Sequence, residues 1–199
     1  MTTTREFILV THDLHPLTPI RIDDLPGSGR VDLIARTVTA ALLLSHAIRT
    51  EVQVHIIVDD AYTITLDGAE LRHLHPDERS TAAQIRNALA AHTEVIGAQP
   101  TPVSPGLSIR RGGIASTLSA LPSTATPMRL APAGQPLASL TVPTHPVCVL
   151  SDHRSFTDEE LATLEPETTA VSVGPQVLHG ADVVTVIHNY LDTAGFAHY

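Results

Sequence analysis

Short, β-branched apolar runs recur along this chain, separated by segments with helical spacing. Arg5–Val10 (REFILV), Val52–Val58 (VQVHIIV), Val147–Leu150 (VCVL) and Thr169–Val173 (TAVSV) are too short and too continuous in apolar residues for surface helices. Between them, Arg30–Ala47 places Val31, Ile34, Val38 and Leu42 near helical spacing. A helix is also expected from Pro76, in its first turn, to about His92, with Asp77 and Glu78 at the positive end. Thr157 with Glu160 predicts a capping box, and Asp182 predicts the cap of a last helix carrying Val183, Ile187, Tyr190 and Leu191 on one face. Strand and helix therefore alternate, which dictates an α/β sheet with helices laid against it. Tyr62–Leu66 is expected to pair with Val52–Val58 as a hairpin across Asp59–Ala61.

One stretch breaks the rhythm. Pro100–Pro146 holds nine of the 15 prolines. It reads as an exposed, variable region with strand-like pieces at Leu107–Arg110 and Met128–Leu130 and a short helix at Ile114–Ala120. The 199 residues suit a single domain over 1–199. A lone cysteine, Cys148, excludes an internal disulfide framework and a cysteine-rich zinc site. No apolar run reaches about 18 residues, so no membrane-spanning helix is expected. Met1–Glu6 does not read as a secretory leader, so a cytoplasmic protein is expected. The 12 histidines include the pairs His12/His15 and His73/His75, but none has metal-ligand spacing, so surface or capping roles are the default and no metal is expected.

The net charge of −9 argues at first against nucleic acid. All 12 basic residues other than histidine, however, are arginine. In molar salt the Debye length falls to about 3 Å, so long-range attraction to phosphate is lost. Arginine still makes direct bidentate contacts, so its positions say more than the net charge.

Three segments could carry chemistry. Pro26–Arg36 (PGSGRVDLIAR) sets the amides of Gly27, Ser28 and Gly29 before a helix, an arrangement suited to an anion, with Arg30, Asp32 and Arg36 alongside. A plain loop and helix start reads as well. Rossmann and P-loop glycine patterns are absent. Ser151–Asp152–His153 follows a strand, where ligands of open α/β sheets sit. A hydrolase using Asp152 and His153 is disfavoured by the missing nucleophile elbow. Ser172–His179 (SVGPQVLH) again ends a strand, in a turn whose exposed backbone groups can read an adenine, or serve only as a turn. Arg110–Arg111 is a basic pair suited to phosphate.

Taken in order, REFILV, LPGSGRVDLIARTVTAALLLSHAIR, LHPDER, SPGLSIRR, VLSDH and SVGPQVLHGADVVTVIHNYLD resemble the archaeal tRNA (pseudouridine-N1)-methyltransferase family of the SPOUT superfamily, over essentially the whole chain. The resemblance implies a SPOUT-type α/β sheet with a C-terminal deep trefoil knot, the knot and cofactor site spanning about residues 128–192. It implies S-adenosylmethionine as cofactor, a homodimer with the site near the subunit interface, and methylation of N1 of pseudouridine 54 in the tRNA T-loop.

By motif, the cofactor residues implied are Leu130, ending a strand before the loop Ala131–Pro136, then Ser151, then Ser172, Val173, Gly174, Pro175, Gln176, Val177 and Leu178, and Val183. The family often has Gly where this chain has Ser151 and Cys where it has Val183. Arg30, Asp32 and Arg36 are the catalytic candidates, Asp152 is a second candidate base, and Arg110 and Arg111 are assigned to tRNA. Two alternatives remain open: the same chemistry on ribosomal RNA, as in the related Nep1-type enzymes, and an RNA-binding protein without catalysis.

Overall fold

The computed structural model describes residues 5–194, so residues 1–4 and 195–199 of the single-domain reading lie outside the described residues. An eight-stranded sheet forms its centre. In chain order the strands are β1 (Arg5–Thr11), β2 (Val52–Val58), β3 (Tyr62–Asp67), β4 (Thr101–Ser104), β5 (Leu107–Arg111), β6 (Ala125–Pro136), β7 (His145–Ser151) and β8 (Thr169–Ser172). The helices are α1 (Val31–Leu42), α2 (Glu78–Ala90), α3 (Ile114–Ser119), α4 (Asp158–Leu164) and α5 (Gly180–Ala194). Across the sheet the order is β4-β5-β3-β2-β1-β7-β6-β8. The five strands from β2 to β8 along this order pair in parallel, while β3, β5 and β4 add an antiparallel extension.

β1 lies in the middle and is buried throughout. Its alternation divides the core. Phe7 and Leu9 face Val31, Ile34, Val38, Ile85, Val184 and Ile187 of α1, α2 and α5. Ile8 and Val10 face Ile57, Val147, Val149, Ile114 and Leu164 on the side of α3 and α4. Helices thus cover both faces, as parallel pairing requires.

Several boundaries depart from the sequence reading. α1 stops at Leu42 rather than Ala47, because Arg49 donates its amide to the Leu42 carbonyl and turns the chain back toward β2. Pro76 precedes α2 instead of opening it, since Asp77 is the cap and accepts from the Ser80 amide at 2.8 Å. Asp182 lies in the first turn of α5, which begins at Gly180.

The largest correction concerns Pro100–Pro146. Its expected strand at Leu107–Arg110 and helix at Ile114–Ala120 form as β5 and α3, but β4 is new, and Met128–Leu130 belongs to the much longer β6, an interior strand of the sheet rather than an exposed piece. The expected loop Ala131–Pro136 is part of this strand, whose pairing with β8 slips between Leu130 and Gln135. Proline cannot donate to a ladder, so such an irregularity is where a strand tolerates it. The hairpin forms as expected, and Asp59 and Asp60 both take left-handed conformations (φ 57° and 46°), matching the twist of the flanking strands.

Candidate active site

β1, β7, β6 and β8 run parallel, so their C-terminal ends meet at one edge of the sheet, where two cavities lie side by side. The first, about 360 Å³, is bounded by the Leu130–Pro132 part of β6, the segment from Leu150 to Phe156, and the stretch from Val171 to Val183. The second, about 370 Å³, is bounded by Leu9, Arg30, Leu33, Ile34 and Thr37 on one side and His179–Ala181 on the other. Ser151, Asp152, His153, Val177, Leu178 and Gly180 line both, and form the wall the two cavities share.

Leu130, Ser151, Ser172, Val173, Gly174, Gln176, Val177, Leu178 and Val183 all line the first cavity, and Pro175 does not. The side chains of the two serines are turned into their own loops. Ser151 Oγ donates to the Arg154 carbonyl, and Ser172 Oγ donates to the Gly174 carbonyl at 2.8 Å. Around these loops the lining is largely apolar, with Leu130, Leu150, Leu161, Val171, Val173 and Val183. Arg129 reaches this cavity as well, with its guanidinium 3.2 Å from Glu165.

Two of the three amides of the Gly27–Gly29 segment are already bonded, which favours the plain helix start over an anion site. The Gly27 amide donates to Asp24 Oδ1 at 3.0 Å and the Ser28 amide to the Leu25 carbonyl at 3.2 Å. What the segment builds is a sharp entry to α1. Gly29 (φ +77°) and Arg30 (φ 56°) are both left-handed. A Cβ on Gly29 would sit 2.5 Å from the Asp13 carbonyl oxygen, so only glycine fits there. A left-handed arginine is strained, and strain of this kind gathers at functional positions.

Arg30 lines the second cavity, and Asp32 orients it. Nε and Nη2 of Arg30 each donate to one Asp32 oxygen at 3.0 Å. This fork holds the Asp32 carboxyl below the usual carboxylate range and raises the Arg30 guanidinium. Asp32 itself lines neither cavity. Arg36 also lines neither, and its exposed guanidinium pairs with Glu78 at 2.7 Å.

Asp152 lines both cavities, yet its carboxylate is fully engaged. Oδ1 accepts from the Arg154 amide at 3.0 Å and faces His12 Nδ1 at 2.7 Å. Oδ2 accepts from the His12 amide at 2.9 Å and faces His153 Nδ1 at 3.4 Å. His153 Nε2 meets Asp13 at 3.1 Å, so both its ring nitrogens lie against carboxylates and Ser151 is bonded elsewhere. These three residues form no nucleophile–base pair, which removes the hydrolase alternative.

His12 was missed as a site residue. It follows β1 directly, at the same edge, but its partners stand far away in sequence and only the fold brings them together. Burial opposes its charge, and the carboxylates of Asp152 and Glu160 outweigh that and raise its pKa. Among the described residues no group of three or more His, Cys, Asp or Glu side chains could hold a metal ion, and no helix is long and apolar enough to cross a membrane.

Arg110 and Arg111 end β5 at this same sheet edge, because β5 runs antiparallel to β3. They behave differently. Arg110 is partly buried and donates to Ser116 Oγ at 3.1 Å and Thr117 Oγ1 at 2.7 Å, and burial lowers its pKa. Arg111 is exposed and sits 5.7 Å from the centre of the Tyr62 ring.

A family described as "Putative SAM-dependent RNA methyltransferase" matches residues 4–196. The chain belongs to this family. Among similar members is the tRNA (pseudouridine(54)-N(1))-methyltransferase of Haloarcula marismortui, 48% identical over 98% of this chain and 100% of that protein. The protein of the same name from Methanopyrus kandleri is 37% identical over 94% of this chain and 92% of its own length. In fold, the chain is similar to Archaeoglobus fulgidus Nep1, solved bound to S-adenosylhomocysteine, with a TM-score of 0.66 at 14% identity over 98% of this chain and 99% of that one.

Proposed function

We propose that this chain transfers a methyl group from S-adenosylmethionine to N1 of pseudouridine 54 in tRNA. The observation that carries the reading is the pair of adjoining cavities sharing one wall, with Arg30 facing into one of them. Full-length relatives bearing that activity in their names support the substrate.

The first cavity fits the cofactor. Its volume of about 360 Å³ lies in the range of small-molecule sites. Apolar side chains (Leu130, Val173, Val183) and the backbone of Ser151 and Ser172–Gly174 suit an uncharged purine. The Ser151 and Val183 departures leave such a site intact, because contacts through backbone do not depend on those side chains. When bound, S-adenosylmethionine supplies a methyl group on a positively charged sulfur.

The second cavity then takes the base. Pseudouridine is linked through carbon, so N1 keeps a hydrogen. Losing it to solvent leaves an anion spread over the ring oxygens, and N1 would take the methyl group as its bond to sulfur breaks and the neutral thioether departs. Arg30, the one guanidinium among the described residues lining this cavity, stabilises that charge, and Asp32 keeps the fork aimed. Asp152 serves as the tie that holds the shared wall, since both its oxygens are engaged, and Arg36 stands apart from the chemistry. Base and cofactor meet along the lining that the two cavities share, which supplies the orientation that an in-line transfer needs.

Arg111 offers the phosphate contact for tRNA, and Arg110 holds α3 against β5 beneath it. A homodimer is part of the same reading, supported by Val177 (80% exposed) and Leu178 (40% exposed) on the loop between the cavities. So is a knot over residues 128–192. β7 inserts between β1 and β6, and α5 returns from the sheet edge to α1, with Tyr190 Oη donating to the Leu140 carbonyl at 2.8 Å in the β6–β7 connection. We place the enzyme in the cytoplasm, with its tRNA substrate.

The test is mass spectrometry of T-loop nucleosides after incubation with pseudouridine-containing tRNA and S-adenosylmethionine. N1-methylpseudouridine at position 54 is expected. Methylation of a ribosomal RNA fragment in preference to tRNA, or no transfer to either, overturns the proposal.

A further inference from the structure

Part of the shared wall, Ser151–His153, lies in a turn, Ser151–Arg154, with little regular structure to hold it. Its position is fixed from outside, by the end of β1 and the residues that follow it. The Asp152 amide donates to the Val10 carbonyl at 3.0 Å. Asp13 grips the turn twice, meeting His153 Nε2 at 3.1 Å and Arg154 Nη2 at 2.6 Å. His12 reaches further than either. Its Nδ1 lies 2.7 Å from Asp152 Oδ1 and its Nε2 lies 3.1 Å from Glu160 Oε2. Glu160 Oε2 in turn accepts from the Thr157 amide at 2.8 Å, completing the cap of α4. One imidazole therefore bridges two carboxylates from opposite ends of the segment that closes the first cavity.

Both ring nitrogens face acceptors, and a neutral imidazole has only one N–H to give. The geometry satisfies both carboxylates only when the ring carries two protons. The Asp152 side chain is 1% exposed, so a lost donor there is not replaced by water.

We propose that His12 is a positioning residue of this site: by donating to Asp152 and Glu160 together it fixes the Ser151–Arg154 turn, and with it the shared wall of the two cavities. This rests on the reading of the first cavity as the S-adenosylmethionine site. Protonation of His12 then strengthens cofactor binding, and by linkage the cofactor strengthens protonation of His12. The charged groups around the ring are Asp152, His153 and Arg154 from the turn, Glu160 from α4, Asp13 beside it, and Arg30, whose charge acts on Asp152 and Asp13. His15 pairs with Asp59 at the end of the β2–β3 hairpin.

The test compares S-adenosylmethionine affinity in the wild-type chain and in His12→Asn between pH 6 and pH 9 by calorimetry. The ligand's own amine titrates alike in both, so it cancels in the ratio of the two affinities. The variant is expected to bind several-fold more weakly at pH 6, with the ratio approaching one at pH 9. His15→Asn, at a ring that lines neither cavity, controls for a nearby imidazole and keeps the wild-type dependence.

Should His12→Asn fail to fold, NMR titration of the His12 ring in the wild-type chain serves instead. Saturating S-adenosylmethionine is expected to move its midpoint to higher pH. A ratio that stays constant with pH, or a midpoint the cofactor does not raise, overturns the proposal. Absence of binding at every pH would instead overturn the assignment of the cavity itself.

Discussion

Two histidines at opposite ends of β1 are held in opposite states. His12, at the C-terminal edge, lies between the carboxylates of Asp152 and Glu160, and its pKa is raised. His188, on α5, is pressed against Arg5, with Nδ1 3.1 Å from Nη1, and burial with the charges of Arg49 and Arg5 lowers its pKa to about 4. Its Nε2 stands 3.0 Å from the Ala41 carbonyl, so the neutral ring joins α5 to α1. The same side chain serves as a cation where acids of the site need tying and as a neutral bridge where the helices pack. One edge of the molecule is organised around function and the other around the core.

That contrast breaks first at Arg30. Arg30→Ala is expected to lower the rate of transfer by about a hundredfold, the usual cost of removing a preorganised donor from a developing anion. Its affinity for S-adenosylmethionine stays near wild type, while its urea midpoint falls, because the buried Asp32 carboxylate loses its partner. Equal losses in rate and cofactor affinity would contradict the division of the two cavities.

The His188 side sharpens the contrast through stability. Its folded pKa lies below the unfolded value, so the unfolded chain binds the proton first. Stability is then full above about pH 6.5 and falls as pH drops toward about 4, by about 3 kcal/mol in all. Urea unfolding across this range checks it, and His188→Gln removes the slope. For His12 the sign reverses: its pairing is complete at low pH and is lost as pH rises through its raised pKa.

Smaller effects follow at the arginines of the rim. Arg111→Ala is expected to weaken tRNA binding and reduce its salt slope by about one. Arg110→Ala costs stability, because it empties the contacts to Ser116 and Thr117. Arg36→Ala changes stability by less than about 0.5 kcal/mol and leaves transfer within about twofold, since an exposed pair such as Arg36–Glu78 contributes little.

Most of the parallel core was legible in the sequence, because β1, β2 and β7 are continuous apolar runs and the capping box of α4 is a local signal. Prolines hid the length and interior place of β6, of which only Met128–Leu130 was legible, and the sheet accommodates them at a slipped register. At the site, the loop from Ser172 to Leu178 was legible because a strand end, a turn and a helix start stand together in the chain. The sequence left the GSGR turn open between an anion site and a plain helix start, and the structure favours the second, since the Gly27 and Ser28 amides are taken by Asp24 and Leu25. His12 was invisible for another reason: its partners lie about 140 residues away, and only parallel pairing of β1 with β7 brings them alongside.

The central claim is that the second cavity accepts a base with a free N1–H. Single-turnover transfer to two tRNA transcripts, identical but for pseudouridine or uridine at position 54, tests it directly. In uridine N1 carries the sugar, so no proton can leave it. Methyl transfer to the pseudouridine transcript alone is the predicted result, and equal transfer to both would contradict the account.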